Sequence, residues 1–161
     1  MSFSKAFFLR ITLIFVSSIA VSVHSEELAR MNRRATLNAT VGYPAPSFLG
    51  GSFAIQSHSA LQWVIGTGFF WSSDFNIQTL SAALRVHLIP TNFSPMVGAG
   101  ISAYFFHGQG DIQGLEATSV LGSLMLGFDW ATPARWRFGG GLQFHYPVRL
   151  TFPYLEAGLT F

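Results

Sequence analysis

From Ala35 onward, apolar and polar residues alternate with a period of two, in segments broken by turn residues roughly every ten to fifteen positions. That period sends successive side chains to opposite faces of a strand, whereas a helix would repeat near 3.6. Over residues 35–43, Ala35, Leu37, Ala39, Val41 and Tyr43 share one face, with Thr36, Asn38, Thr40 and Gly42 on the other. Over 48–56, Leu49, Phe53 and Ile55 oppose Gly50, Ser52, Ala54 and Gln56. Over 61–71, Leu61, Trp63, Ile65, Phe69 and Trp71 oppose a weaker polar face that includes Val64 and Phe70. The segment 76–89 is cleaner, with Leu80, Ala82, Leu84, Val86 and Leu88 set against Thr79, Ser81, Ala83, Arg85 and His87. Four more segments follow at 97–106, 117–130, 135–146 and 154–161, and in the second of these Leu121 and Met125 break the alternation. Residues 90–95 and 131–134 read as turns, and 107–116, rich in Gly and Gln, is the longest connection.

Eight such segments predict an all-β fold, an eight-stranded antiparallel up-and-down transmembrane β-barrel. A tilted spanning strand needs roughly 9–11 residues, and an even strand count lets the sheet close. Closure matters because lipid offers the backbone no hydrogen bonds, so every strand edge has to be paired. A soluble sandwich or barrel would use the same alternation with its apolar face inward. Two features favour the membrane version. The polar faces are dominated by Gly, Ser, Thr and a few charges rather than by Lys and Glu, and the aromatic residues collect at strand ends. With the first strand rising from the periplasm, Trp63, Trp130 and Trp136 fall toward the periplasmic rim and Tyr43, Trp71 and Tyr146 toward the outer rim, as interfacial girdles do.

Composition agrees. The 161 residues are 50% hydrophobic, 16% aromatic and 10% charged, too apolar for a disordered chain. Residues 1–25 read as an export signal: a head with Lys5 and Arg10, an apolar stretch from Ile11 to Val23, and Val23-His24-Ser25 ahead of Glu26. The stretch is shorter than the roughly 20 residues of a spanning helix and is broken by serines. Residues 26–34 then lead into a barrel at 35–161. Without the leader the nine basic residues fall to seven, equal to the acidic ones, and no Lys remains. Nucleic acid is therefore not an expected partner. The absence of Cys removes disulfides, thiolate metal sites, cysteine nucleophiles and a lipidated cysteine.

The last residues, Tyr154-Leu-Glu-Ala-Gly-Leu-Thr-Phe161, set Leu155, Ala157, Leu159 and Phe161 at alternating positions. This resembles the last-strand signal of bacterial outer-membrane β-barrel proteins. Asp129-Trp-Ala-Thr-Pro-Ala-Arg-Trp-Arg137 likewise resembles the short periplasmic turn of small OmpA/OmpX-type barrels. The resemblance implies a bacterial outer-membrane location among lipid and lipopolysaccharide. It also implies recognition of the terminal strand by the barrel assembly machinery and delivery by periplasmic chaperones. The short outer connections, apart from 107–116, weaken an adhesin or receptor reading.

The charges expected to face inward are Arg85, Arg135, Arg137, Asp129 and Glu156. Buried charge is costly unless paired, so Arg85 and Arg137 are expected to bond Glu156, and Arg135 to bond Asp129, as an interior plug. An eight-stranded barrel has room for side chains or one small ligand, which argues against a general porin. No catalytic, cofactor or metal site is expected, since His58, His87, His107 and His145 show no ligand-like spacing. Some small outer-membrane barrels are lipid A deacylases or acyltransferases, which need a His with a Ser nucleophile near the outer leaflet. Here His58-Ser59 falls on the periplasmic side, His145 precedes Tyr146-Pro147 rather than a His-x-Ser-Asn run, and His107 stands beside a loop with Asp111 and Glu116. Gly98, Gly100 and Gly139–Gly141 lack the strand-loop-helix context of a phosphate loop and suit bending and close packing. The expectation is a non-catalytic envelope protein with a structural or surface-interaction role. The alternatives are a lipid A-modifying enzyme and a lipocalin-like binder of a small ligand.

Overall fold

A computed structural model describes residues 34–42, 48–58 and 60–161; the leader, nearly all of the 26–34 lead and the girdle residue Tyr43 lie outside them. Eight strands close into an antiparallel barrel in chain order: β1 (Ala35–Gly42), β2 (Phe48–His58), β3 (Leu61–Trp71), β4 (Phe75–His87), β5 (Phe93–Gly108), β6 (Glu116–Ala131), β7 (Trp136–Tyr146) and β8 (Leu150–Thr160). β1 closes on β8, with Thr36 opposite Thr160 and Gly42 opposite Tyr154, so every strand has two neighbours. One end, the terminal end, carries the start of β1 and the end of β8 together with the β2–β3, β4–β5 and β6–β7 connections. The opposite loop end carries the β5–β6 connection with its short 3-10 turn, Gly110–Ile112.

Period-two alternation becomes an inside and an outside. On β6, Val120 and Leu124 are 66% and 63% exposed while Leu121 and Ser123 are 8% and 6% exposed. Leu37, Ile65, Leu80, Ile101, Leu155 and Leu159 also face outward. Leu121 and Met125, out of pattern in the sequence, are buried inside with Met96 and Val64. A lumen this narrow is filled by side-chain volume, so an apolar residue there satisfies packing even on the polar face.

β5 and β8 begin earlier than the alternation predicts, at Phe93 and Leu150, and each takes a proline into the strand. Antiparallel strands direct their backbone groups to alternate sides. The carbonyl of Pro95 accepts from Leu88 N at 2.9 Å, one step beyond the His87–Met96 pair that ends β4. By the same parity Pro153 faces β1, since Phe161 N donates to Ala35 O, and it stands one step beyond the Gly42–Tyr154 pair. The missing N–H of Pro95 points past the end of β4, so no ladder bond is lost there.

Strand lengths are unequal at the loop end. β6 has 16 residues and β7 has 11, and their pairing stops at Gly122–Tyr146. Residues 116–121 therefore have a strand partner on β5 but none on the β7 side among the described residues. β6 overshoots the end of β7 by about 20 Å of strand.

Candidate functional site

The lumen is layered. Near the terminal end, inward positions of five strands bring charges together. Arg85 on β4 reaches across the barrel to Glu156 on β8, with Nη1 donating to Oε1 at 2.5 Å and Nη2 to Oε2 at 3.0 Å. Arg137 on β7 donates from Nε to Asp129 Oδ1 on β6 at 2.5 Å and from Nη1 to Thr36 Oγ1 on β1 at 3.3 Å. His87 Nε2 on β4 stands 3.1 Å from Asp129 Oδ2 and 3.2 Å from Arg137 Nη2. All these side chains are buried. Paired and hydrogen-bonded charge is the form in which charge is tolerated in such surroundings. Gly139 makes room for it: a Cβ there would stand 2.8 Å from Glu156 Oε1 and 2.9 Å from its Cγ.

The Arg85–Glu156 bond is as expected, whereas Arg137 bonds Asp129 rather than Glu156. Arg137 and Asp129 sit diagonally across the β6–β7 ladder, because Ala131 opposes Arg137 and Gly139 opposes Asp129. Glu156 is left to Arg85 from the far wall. Arg135 is not in the lumen. It is exposed in the β6–β7 turn at φ +70°, and its carbonyl accepts from Thr160 N and Oγ1 at 2.8 and 3.1 Å. The turn takes up the residue that strict alternation would have aimed inward.

Above the charges lies a chamber of about 100 Å³, bordered by Ser52, Ser81, Ser102, Ser123, Arg85 and Glu156. An aromatic collar roofs it. Ring centroids run Phe48 to Phe70 at 4.7 Å, Phe70 to Phe152 at 5.6 Å, Phe152 to His145 at 5.5 Å and His145 to Tyr104 at 5.6 Å. The Tyr104 hydroxyl lies 3.0 Å from His145 Nδ1. His58 is exposed at the terminal end, and His107 Nδ1 stands 3.8 Å from Glu116 on the loop-end hairpin. Among the described residues no three His, Asp or Glu side chains group to hold a metal ion.

Outside, Trp63, Trp130 and Trp136 are exposed at the terminal end, and Trp71 and Tyr146 at the loop end. Trp136 stacks on Phe138 at 6.2 Å. Leu155, Ala157, Leu159 and Phe161 project outward from the closing strand and its end.

No protein-family model matches the chain, and no curated protein matches it. Solved structures do. The N-terminal β-barrel domain of Pseudomonas aeruginosa OprF is similar at TM-score 0.65 and 17% identity, over 80% of this chain and 98% of that one. Neisserial surface protein A is similar at 0.57 and 14%, over 80% and 95%. The Yersinia pestis outer membrane protein Ail is similar at 0.52 and 9%, over 80% and 99%. At these identities the shared property is the fold, a closed eight-stranded barrel.

The site residues that sequence reasoning missed are Thr36 and His87 in the charge cluster and Phe48, Phe70 and Phe152 in the collar. Phe70 left a trace: a bulky aromatic on a face otherwise of Gly, Gln and Val.

Proposed function

We propose that this chain is an integral outer-membrane barrel with a structural role in the envelope, closed to general diffusion and without catalysis. The observation that carries the reading is the inversion of the barrel: an apolar exterior ringed by Trp and Tyr at both ends, around a lumen tied shut by buried ion pairs. Lipid is the solvent that accepts such an exterior. The similar structures support it, since they include proteins described as outer-membrane and surface proteins and a designed transmembrane β-barrel. The loop end faces outward on this reading, amid outer-membrane lipid and lipopolysaccharide. The assembly machinery engages β8, and periplasmic chaperones deliver the unfolded chain.

His145 stands opposite Ser123 on the β6–β7 ladder, but its ring is engaged by the Tyr104 hydroxyl and packs edge-on to Phe152, and no carboxylate bonds it among the described residues, which supports the reading without catalysis. Heat-modifiable gel migration and retention in the membrane after urea extraction are expected, together with no steady conductance in planar bilayers. Release with the soluble periplasm would sink the membrane reading, and a stable open-pore current would sink the closed lumen.

A further inference from the structure

We propose that the loop end of the lumen binds a single-chain anionic amphiphile of the fatty-acid class, its acyl chain inside the barrel and its carboxylate at Arg149. The proposal rests on the membrane reading above and adds a ligand to it.

The first observation is a vestibule of about 610 Å³ above the collar, lined chiefly by Phe70, Phe75, Ile77, Phe106, Leu121 and Phe152. That volume lies within the range of small-molecule sites, and the lining is of their usual kind. A mouth open to water gains nothing from Phe and Ile at inward positions, because apolar surface left wet is unfavourable. Each of these residues breaks the small-or-polar rule of the inward face, and together they gather at the loop end of the barrel.

The second observation is a lateral route. β6 overshoots β7 by residues 116–121, leaving a gap in the wall above the Gly122–Tyr146 pair. A recess of about 560 Å³ lies directly below that gap, along the paired residues Gly122 to Leu124 and Phe144 to Tyr146, with Arg149 at its edge. At Gly122 a Cβ would meet nothing within 4 Å. Tyr146 marks the outer rim, so the gap opens at the level where lipid heads lie.

The third observation is charge. Arg149 borders the same recess and is exposed in the β7–β8 connection, with no carboxylate in ion-pair distance among the described residues. The inward carboxylates Asp129 and Glu156 are engaged far below, and Glu116 lies by His107. A chain entering sideways would thus leave its acidic head beside a guanidinium and bury its methylenes against the vestibule.

The test uses the full chain folded in phosphatidylcholine vesicles, a palmitate probe with a terminal diazirine, and mass-spectrometric mapping of the photo-adducts. Adducts are expected on the inward-facing Phe70, Phe106, Leu121 and Phe152, above an exterior background at residues such as Val120 and Leu124. Ser119→Trp and Ala117→Trp, which fill the vestibule from β6, should cut inward adducts about tenfold or more, as excluding two methylenes would. Arg149→Glu should weaken them about two- to fivefold, the scale of an exposed ion pair, and should leave labelling by a diazirine alcohol of equal length unchanged. Adducts confined to outward residues overturn the proposal, as do inward adducts that neither filler reduces. Insensitivity of palmitate to Arg149→Glu overturns the anionic head. Heat-modifiable migration is read on the same samples. A folded, inserted barrel without inward adducts defeats this proposal alone, whereas a chain that does not insert defeats the membrane reading with it. The unsubstituted protein's adduct map decides the matter even if a filler variant does not fold.

Discussion

Glu156→Gln removes one charge from the strut between β4 and β8 at almost no change in shape. The strut is bidentate, at 2.5 and 3.0 Å, and its side chains are 6% and 2% exposed. At an effective dielectric constant near 20, opposite charges about 4 Å apart attract by about 4 kcal/mol. Glutamine keeps one acceptor but turns an N–H donor toward the guanidinium, so Arg85 is left buried with poor compensation. Breaking a buried pair from one side costs about 3–5 kcal/mol. The adjoining chamber of about 100 Å³ has room for water to solvate the unpaired guanidinium, which favours the lower end of that range. Denaturant unfolding in lipid vesicles, followed by tryptophan fluorescence, should show the midpoint falling with an unchanged m value. Replacing both partners, Arg85→Met with Glu156→Leu, should recover most of the loss, because no charge is then stranded. A loss below about 1 kcal/mol for Glu156→Gln would mean that the pair behaves like a solvated surface pair, and the reasoning would fail. So would a double variant as unstable as the sum of the two single changes.

Three further outcomes follow from the geometry. Leu126→Arg, on the outward face of β6 midway between the rims at Trp130 and at Tyr146, should destabilise the barrel in lipid by about 2–4 kcal/mol, and tolerance of it in vesicle unfolding would contradict a lipid-facing belt. Gly139→Ala should cost about 1–3 kcal/mol by pushing Glu156 from its seat, and the cost should shrink in a Glu156→Ala background, a coupling that a double-mutant cycle measures. Deleting Phe161, whose N–H donates to Ala35 O at 2.8 Å where β1 and β8 close, should slow the appearance of the heat-modifiable band severalfold; an unchanged rate would dissociate the terminal residue from assembly.

The lumen combines two chemistries in one small space. Toward the terminal end its side chains are charged and hydrogen-bonded across the barrel, so they hold opposite walls at fixed separation. Toward the loop end they are aromatic and aliphatic, and they meet through ring contacts of 4.7 to 5.6 Å, with a hydrogen bond between Tyr104 and His145. The charged layer carries rigidity and closure, and the apolar layer carries the capacity to accept a ligand. Unequal strand lengths at the loop end make that layer reachable from the side.

Much of the fold was legible because a strand's two faces are a local property. Leu37 beside Asn38, or Leu124 beside Ser123, already separates outside from inside, and eight such segments joined by short turns leave a closed meander as the economical way to pair every edge. The strand start at Phe93 was not legible, because Pro95 is tolerated there only since β4 has ended beside it, and that is a fact about the neighbour. The same holds for the charges. Sequence placed Arg85, Arg137, Asp129 and Glu156 on inward faces and paired Arg85 with Glu156, yet the partner of Arg137 depends on shear and on which wall lies opposite, so it took Asp129 rather than Glu156. Arg135 shows the converse: turn conformation, not alternation, decided its direction. The collar of Phe48, Phe70, Phe152, His145 and Tyr104 draws on five strands, and no segment of the chain contains more than one of its members except where β7 and β8 adjoin. By itself, then, the sequence determined the barrel and its two faces, since these follow from backbone period and the demand that strand edges pair. Only the tertiary structure decided which inward residues meet and where the wall opens, since those depend on distances across the lumen that the order of residues does not contain.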